Sequence, residues 1–307
     1  MKAVDLRVHV GSVELPNPVM TAAGTAGHAA ELAAYVDLSE LGAVVAKSLS
    51  AEPWEGNPAP RLHAAAGGGM INSVGLQNPG VEAWLEEDLP ALRGAGARVV
   101  AGIWGRSFED YAKAAELLGS AGDEVVAVEV NLSCPNLGGE HEMFSSSGNA
   151  AAKATSAALA CGKPVWAKLS PAVADLPSVA RAVLDAGAEA VTLVNTMPAM
   201  VLDLDARRPV LGAGGGGLSG APLHPIAVRA VWDCHRAIHD ATIVGAGGVT
   251  TAEDAVELLM AGARAVQVGT ASFRDPRATG RILRDLRRWC ARHRVARLAD
   301  LTGAAHA

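Results

Sequence analysis

The sequence predicts a single α/β domain over residues 1–307, folded as a (β/α)₈ TIM barrel. Eight short apolar runs recur along the chain, with helical or glycine-rich stretches between them. The runs are apolar throughout, as expected of parallel strands that are covered on both faces. Strands that alternate with helices favour a parallel sheet, and eight of them close a barrel. The predicted strands are 18–22, 43–47, 98–102, 126–131, 165–168, 190–195, 242–245 and 265–269.

Start and stop signals place the other elements. Thr251 and Asp175 suit helix N-caps, and Gly187 and Gly262 suit helix ends. They predict helices over 175–186 and 252–261, and the apolar spacing predicts another over 108–118. An N-terminal hairpin is expected over 6–10 and 13–15. The connections 48–97, 132–148 and 196–222 are too long for plain barrel turns, and each follows a strand. We therefore expect all three at the carboxyl face, where barrels bind ligands.

Composition narrows the class of protein. The net charge is −6, and no Lys/Arg-rich block precedes residue 274, which argues against nucleic-acid binding. Basic residues over 281–297 alternate with apolar residues at helical spacing. They predict the solvent-exposed face of a terminal helix. No apolar run reaches the ~20 residues of a membrane span. The four cysteines lie far apart, which suits a reduced compartment. We expect a cytoplasmic protein without a metal cluster or a membrane segment.

Two histidine-containing stretches look like metal sites but have simpler interpretations. His235 and His239 are four residues apart in a predicted helix before the seventh strand. We interpret them as residues of a partly exposed helix face, near the end of the barrel opposite the carboxyl face. We interpret residues 140–142, Glu-His-Glu, as a solvated part of the active-site loop. The sequence therefore predicts no metal site.

The stretch over 126–136, Val-Ala-Val-Glu-Val-Asn-Leu-Ser-Cys-Pro-Asn, carries the main chemical signal. A buried strand ends there and delivers Asn131, Ser133, Cys134 and Asn136 to the carboxyl face. A free cysteine is often buried in a core. Cys134 instead lies in a polar loop before a proline, so we interpret it as a nucleophile or general base.

Two lysines end apolar runs in the same way. Lys47 follows Val-Val-Ala, and Lys168 follows Val-Trp-Ala. Burying a lysine is costly unless it meets an anion or a polar ligand. Either lysine alone could extend to solvent. Two at equivalent strand ends predict ligand contact, and one could face a flavin ring, whose reduced form carries negative charge.

Glycine-rich segments predict a phosphate cradle. They lie at 214–220, 245–248 and 268–270, near the last two strand ends, where barrels commonly bind phosphate. None matches a dinucleotide or triphosphate motif. The asparagines Asn72, Asn131, Asn136 and Asn195 also follow strands or lie in the first long loop. Together their amides suit a ligand with adjacent N–H and C=O groups, such as a pyrimidinedione.

With these residues the chain resembles the class 1 dihydroorotate dehydrogenases, and most closely the class 1B catalytic subunit. The most specific motifs are Gly-Asn-Pro-Ala-Pro-Arg at 56–61, Asn-Ser-Val-Gly-Leu-Gln-Asn-Pro-Gly at 72–80 and Asn-Leu-Ser-Cys-Pro-Asn at 131–136. The resemblance runs from Asn17 to Thr270. It implies an FMN-containing barrel that oxidises (S)-dihydroorotate to orotate in de novo pyrimidine (UMP) biosynthesis.

The resemblance also implies a role for each matching residue. Cys134 would remove a proton from C5 while hydride passes from C6 to flavin N5. The implied substrate-binding residues are Lys47, Asn72, Ser73, Val74, Gly75, Leu76, Asn131, Asn136, Asn195 and Thr196. The implied FMN-binding residues are Ala23, Lys47, Ser48, Asn131, Lys168, Val194, Gly220, Gly247, Gly248, Gly269 and Thr270.

The class 1B resemblance further implies partners. It suggests a homodimer and an electron-transfer subunit that carries FAD and a 2Fe–2S cluster, together forming a heterotetramer with NAD⁺ as the final acceptor. The chain lacks cysteine spacing for such a cluster, which is consistent with a separate subunit.

The sequence departs from the family pattern at three positions. Gly102 stands where the family has an asparagine that contacts FMN, Trp104 adds bulk nearby, and Ala23 replaces a small hydroxyl residue. These changes keep open a flavin enzyme for another dihydropyrimidine. A barrel that binds a phosphorylated ligand without redox chemistry is a further alternative. A tRNA-modifying flavin barrel is weaker, because the chain has no basic groove.

Overall fold

The computed structural model describes residues 4–133 and 143–306. All eight predicted strands are confirmed: β1 Val19–Thr21, β2 Val44–Val45, β3 Val99–Ile103, β4 Val125–Asn131, β5 Val165–Leu169, β6 Ala190–Leu193, β7 Ile243–Ala246 and β8 Ala265–Val268. They form one parallel sheet in the order β1-β8-β7-β6-β5-β4-β3-β2. A bridge between Met20 and Ala43 joins β1 to the chain entering β2, so the sheet closes into a barrel.

Helices cover the outside of the barrel. Ser107 and Thr251 start two of them with reciprocal capping boxes, and Asp175 caps a third. The main helices are α1 Phe108–Leu118, α2 Gly148–Ala158, α3 Leu176–Asp185, α4 His224–Ala237, α5 Ala252–Ala261 and α6 Ala278–Arg292. Shorter helical segments are Val81–Ala83, Trp84–Asp88, Leu89–Gly94 and Ala271–Arg274. The 3₁₀ turns are Glu31–Ala34, Leu38–Glu40, Ala66–Gly68, Phe144–Ser146, Leu159–Cys161, Ala221–Leu223, Leu298–Leu301 and Ala304–His306.

The predicted N-terminal hairpin is present and lies at the amino end of the barrel. Its strands are Val8–Val10 and Val13–Leu15. The turn is held by Glu189, whose carboxylate accepts hydrogen bonds of 2.7 Å from both the N–H and the hydroxyl of Ser12. Because Glu189 directly precedes β6, the hairpin is fixed to the end of the barrel away from the long loops.

A second sheet lies within the long connections, and sequence analysis missed it. It is antiparallel, in the order Met197–Ala199, Gly216–Gly220, Gly69–Asn72, Leu62–Ala65. A separate short hairpin pairs Leu202–Asp203 with Arg208–Pro209. The stretch 214–220, predicted as one segment of the phosphate cradle, is mostly a strand, Gly216–Gly220. Glycine is needed there for close approach, since a Cβ on Gly216 would lie 2.5 Å from the Asn72 carbonyl oxygen.

The terminal helix α6 is amphipathic. Helix α6 buries Leu283, Leu286 and Cys290 and exposes basic residues, which confirms an amphipathic terminal helix, although it ends at Arg292. Within residues 4–133 and 143–306, each helix is too short or too polar to cross a bilayer.

The predicted helical histidine pair is wrong in part. Helix α4 ends at Ala237, so His235 is helical and His239 lies beyond the helix. The His235 ring instead packs near His306, with ring centroids 4.8 Å apart, and His306 stacks on Trp232. No group of three potential metal ligands occurs in the described part of the chain.

Acidification is expected to destabilise this C-terminal contact. Burial lowers the pKa of His235 below its ordinary 6.5, and His306, His239 and Arg264 add to the effect. As the pH falls through about 6.5, the unfolded chain therefore binds more protons than the folded chain, and the free energy of unfolding falls. Urea unfolding at about pH 7.5 and about pH 5.5 measures this loss. His235→Gln should show a smaller loss, and His9→Gln, at an exposed position, is the control. Equal losses in all three proteins would contradict the assignment to His235.

Candidate active site

A cavity of about 520 Å³ opens at the carboxyl ends of the barrel strands. This volume is in the range of small-molecule and cofactor sites. Every candidate site residue in the described ranges lines it: Ala23, Lys47, Ser48, Asn72, Ser73, Val74, Gly75, Leu76, Asn131, Lys168, Val194, Asn195, Thr196, Gly220, Gly247, Gly248, Gly269 and Thr270. Cys134 and Asn136 lie outside the described residues. The cavity thus unites motifs far apart in sequence, while the role of each residue stays a prediction.

Two asparagines form a linked polar wall. The Asn195 amide donates to the Asn131 side-chain oxygen at 3.1 Å, and that oxygen also accepts from the Ser133 N–H at 3.2 Å. The Asn195 oxygen accepts from the Thr196 N–H at 2.8 Å. The Tyr111 hydroxyl donates to the Asn131 carbonyl at 2.7 Å and fixes the strand end. These bonds set the orientation of both amides before a ligand binds.

The Ser133 hydroxyl supplies a polar atom that suits a ligand. Ser133 lines the cavity, and its Oγ is buried without a hydrogen-bond partner among residues 4–133 and 143–306. Buried polar atoms without partners are uncommon and costly. A ligand with N–H or C=O groups would satisfy this hydroxyl, as it would the nearby asparagines.

The loop over residues 72–76 is held rigidly against the barrel. The buried Asn78 carboxamide oxygen accepts from the N–H groups of Ser50 and Gly80, at 3.0 and 2.9 Å. Its amide donates to the Leu76 carbonyl at 2.9 Å. Leu76 has a φ of 65°, a conformation that is costly for a leucine. The side-chain bonds of Asn78 hold this strained residue in the cavity wall.

Bare backbone forms another part of the wall. Gly220, Gly247 and Gly248 have φ values of 87°, 133° and 68°. A Cβ on Gly248 would lie 2.9 Å from the Gly220 carbonyl oxygen and 2.8 Å from the His224 nitrogen. Because no side chain fits, the main chain itself is presented to the cavity. Such a glycine wall between strand ends suits a phosphate group.

The described cysteines are unsuited to catalysis. Cys161, Cys234 and Cys290 are buried and free. Burial raises the pKa of each thiol, and for Cys234 burial with nearby Asp233 and Asp175 raises the pKa to about 12. A buried neutral thiol is a poor nucleophile and a poor base. Cys134, between cavity-lining Ser133 and Met143, remains the candidate predicted from sequence.

The departures from the family pattern have a structural context. Gly102 does not line the cavity, and a Cβ there would lie 3.0 Å from the Ala46 carbonyl oxygen and 3.1 Å from the Ser48 Cα. The segment directly after β2 thus packs closely on β3 at the position that a side chain of residue 102 would occupy. Trp104 was expected to add bulk beside the ligand. It is instead 5% exposed, outside the cavity lining, and packs edge-on against Trp54 with centroids 6.4 Å apart.

Comparison with known proteins decides the family. The dihydroorotate dehydrogenase family model matches residues 5–289. The chain belongs to the dihydroorotate dehydrogenase family. It is 43% identical over 306 residues to "Dihydroorotate dehydrogenase B (NAD(+)), catalytic subunit" of Geobacter sp. strain M21, which covers 99% of both chains. It is 41% identical over 304 residues to the protein of the same name from Alkaliphilus metalliredigens, again covering 99% of both. Dihydroorotate dehydrogenases are flavin-dependent, so a flavin is the expected cofactor.

A solved structure supports the fold at lower sequence similarity. The dihydroorotate dehydrogenase of Eimeria tenella, in complex with ferulenol, superimposes with a TM-score of 0.79. The two chains share 22% identity, and the alignment covers 98% of this chain and 89% of that one. The barrel architecture of the family is therefore kept in this chain.

Sequence reasoning missed the two side chains that hydrogen-bond to Lys168. Gln267 lines the cavity from β8, and Glu129 lies in β4 directly behind Lys168. The signal for Glu129 was present, since it is the lone charged residue in the apolar run Val-Ala-Val-Glu-Val. A carboxylate inside a buried strand requires a partner, and that requirement points to Lys168.

Proposed function

We propose that this chain is the catalytic subunit of a dihydroorotate dehydrogenase B and oxidises (S)-dihydroorotate to orotate with FMN. The reaction serves de novo pyrimidine biosynthesis. The observation that carries the proposal is the convergence of the implied substrate and cofactor residues on one cavity, in a chain 43% identical to a catalytic subunit of that name. The cavity offers both a polar wall of asparagines and a glycine wall without side chains, which suit a pyrimidine ring and a phosphate respectively.

The oxidation removes a proton from C5 and a hydride from C6 and leaves a C5=C6 double bond. Cys134 is the base that takes the C5 proton. Bound FMN supplies the hydride acceptor, at its N5 atom. The residues that orient the substrate in this proposal are Lys47, Asn72 to Leu76, Asn131, Asn136, Asn195 and Thr196. Because the Asn131 and Asn195 amides are already hydrogen-bonded to each other, little ordering is required when substrate binds.

Electrons leave through a partner subunit in this proposal. The relatives' names specify an NAD(+)-linked enzyme and a catalytic subunit. We infer that this chain, as a homodimer, docks an electron-transfer subunit carrying FAD and a 2Fe–2S cluster. The assembly would act in the cytoplasm, where NAD⁺ is reduced.

An anaerobic visible spectrum tests the proposal. The purified chain is expected to be yellow, or to become yellow with added FMN, and to bleach on addition of dihydroorotate. Dithionite bleaching serves as the positive control. A flavin that dithionite reduces and dihydroorotate does not would overturn the substrate assignment. A protein that cannot be loaded with FMN would overturn the cofactor assignment.

A flavin enzyme acting on another dihydropyrimidine is the second candidate, and Gly102 favours it. Gly102 lacks the side-chain amide of the family pattern, and Ala46 and Ser48, on either side of Lys47, pack within 3.0–3.1 Å of where its Cβ would be. Dihydrouracil lacks the carboxylate of dihydroorotate and is the discriminating substrate. Faster bleaching by dihydrouracil than by dihydroorotate would favour this second candidate.

A further inference from the structure

Four polar side chains form a buried network inside the barrel. Glu129, Lys168, Thr192 and Gln267 come from β4, β5, β6 and β8, and none is more than 6% exposed. The Lys168 ammonium donates to the Glu129 carboxylate at 3.2 Å and to the Gln267 side-chain oxygen at 2.9 Å. The other Glu129 oxygen accepts from the Thr192 hydroxyl at 2.9 Å and from the Gln267 amide at 2.5 Å.

The arrangement of these hydrogen bonds suits a carboxylate at position 129. Three donors converge on Glu129, from Lys168, Thr192 and Gln267. A carboxylate accepts all three, whereas an amide has one acceptor atom and two donors of its own. The bond from Gln267 to Glu129 also orients the Gln267 amide, so that its oxygen faces Lys168.

Only part of the network reaches the ligand space. Lys168 and Gln267 line the cavity, and neither Glu129 nor Thr192 does. The two described acceptors use two of the three ammonium protons of Lys168, so one remains for a ligand. Glu129 therefore cannot touch a bound molecule directly and can act on it only through Lys168.

We propose that Glu129 is a positioning residue that holds the Lys168 ammonium at the cavity wall and balances its charge. The Glu129–Lys168 pair has no net charge, so a bound flavin faces a neutral pair instead of a bare cation. The strength of the flavin as an oxidant is thereby set partly by a residue that does not touch it. This inference rests on the proposed function only in taking FMN as the ligand of the cavity.

Replacing Glu129 and replacing Lys168 should shift the reduction potential of bound FMN in opposite directions. In Glu129→Gln the cation is no longer balanced, and it stabilises the negative charge of reduced flavin. The variant should prefer reduced over oxidised FMN about tenfold more than wild type, which raises the reduction potential. In Lys168→Met the carboxylate is left alone, and the preference should fall by about the same factor.

The reduction potential of bound FMN is measured by equilibration with redox dyes in the absence of substrate. It tests the direction of each predicted shift. Thr192→Val is the matched control, because it removes one buried hydrogen bond of Glu129 and no charge. Its potential should equal that of wild type. A Glu129→Gln potential equal to wild type, or lower, overturns the inference.

The double variant keeps the test decisive if Glu129→Gln does not fold. Replacing both members of a buried ion pair leaves no uncompensated charge and is often tolerated. The potential of Glu129→Gln/Lys168→Met should lie above that of Lys168→Met. An equal or lower value overturns charge balancing. Because no dihydroorotate is added, a wrong substrate assignment leaves these results unaffected and shows itself only in the bleaching experiment.

Discussion

Cys134→Ala is expected to bind FMN normally and to slow flavin reduction by dihydroorotate by about 10²–10⁴-fold, the range for loss of a general base. The substitution removes the proposed base for the C5 proton and does not alter the glycine wall or Lys168. Other thiols cannot replace it. Cys161, Cys234 and Cys290 are buried, and burial raises the pKa of each.

Anaerobic stopped-flow mixing with dihydroorotate measures the reduction rate, and a visible spectrum measures bound flavin. Cys134→Ser should keep a little activity, because a hydroxyl is a poorer base than a thiolate near neutral pH. Cys161→Ala, which changes a buried thiol in a 3₁₀ turn at the end of α2, is the control and should reduce at the wild-type rate. Wild-type reduction in Cys134→Ala would remove Cys134 from the mechanism.

The barrel was predictable from sequence because its strands are covered on both sides. Continuous apolar runs such as Val99–Ile103 and Ile243–Ala246 are buried at each residue. The helix over 108–118 was predicted to the residue from its apolar spacing, and in the structure a capping box of Ser107 and Asp110 fixes its start. Where local signals and burial agree, the sequence is sufficient to predict a strand or helix and its position.

The antiparallel sheet over the cavity was not predictable in the same way. The strand Gly216–Gly220 is mostly glycine, which has low strand propensity and is more typical of loops. Its pairing with Gly69–Asn72 joins segments almost 150 residues apart, and no local pattern encodes that contact. Candidate site residues were found because strand ends converge in a barrel. Their hydrogen bonds, and the role of Glu129 behind Lys168, depend on distances between strands.

Gly248→Ala is expected to weaken FMN binding by about 100-fold and to lower the free energy of unfolding by about 2–5 kcal/mol. Gly248 has a φ of 68°, which disfavours any residue with a Cβ. The new methyl group would lie 2.6 Å from the His224 Cβ and 2.9 Å from the Gly220 carbonyl oxygen. None of these contacts is the flexible end of a side chain, so the glycine wall itself has to move.

Gly162→Ala separates the effect of the wall from the effect of backbone conformation. Gly162 has a φ of 64°, close to that of Gly248, but a Cβ there would have no atom within 4 Å. The free energy of unfolding of Gly162→Ala should therefore fall by about 1–2 kcal/mol, the cost of the left-handed backbone conformation alone. This variant should bind FMN as wild type does. Fluorescence titration of the apoproteins with FMN and urea unfolding measure both quantities. If Gly248→Ala bound FMN as tightly as Gly162→Ala, the glycine wall would not be the phosphate site, because a displaced wall could not leave the affinity unchanged.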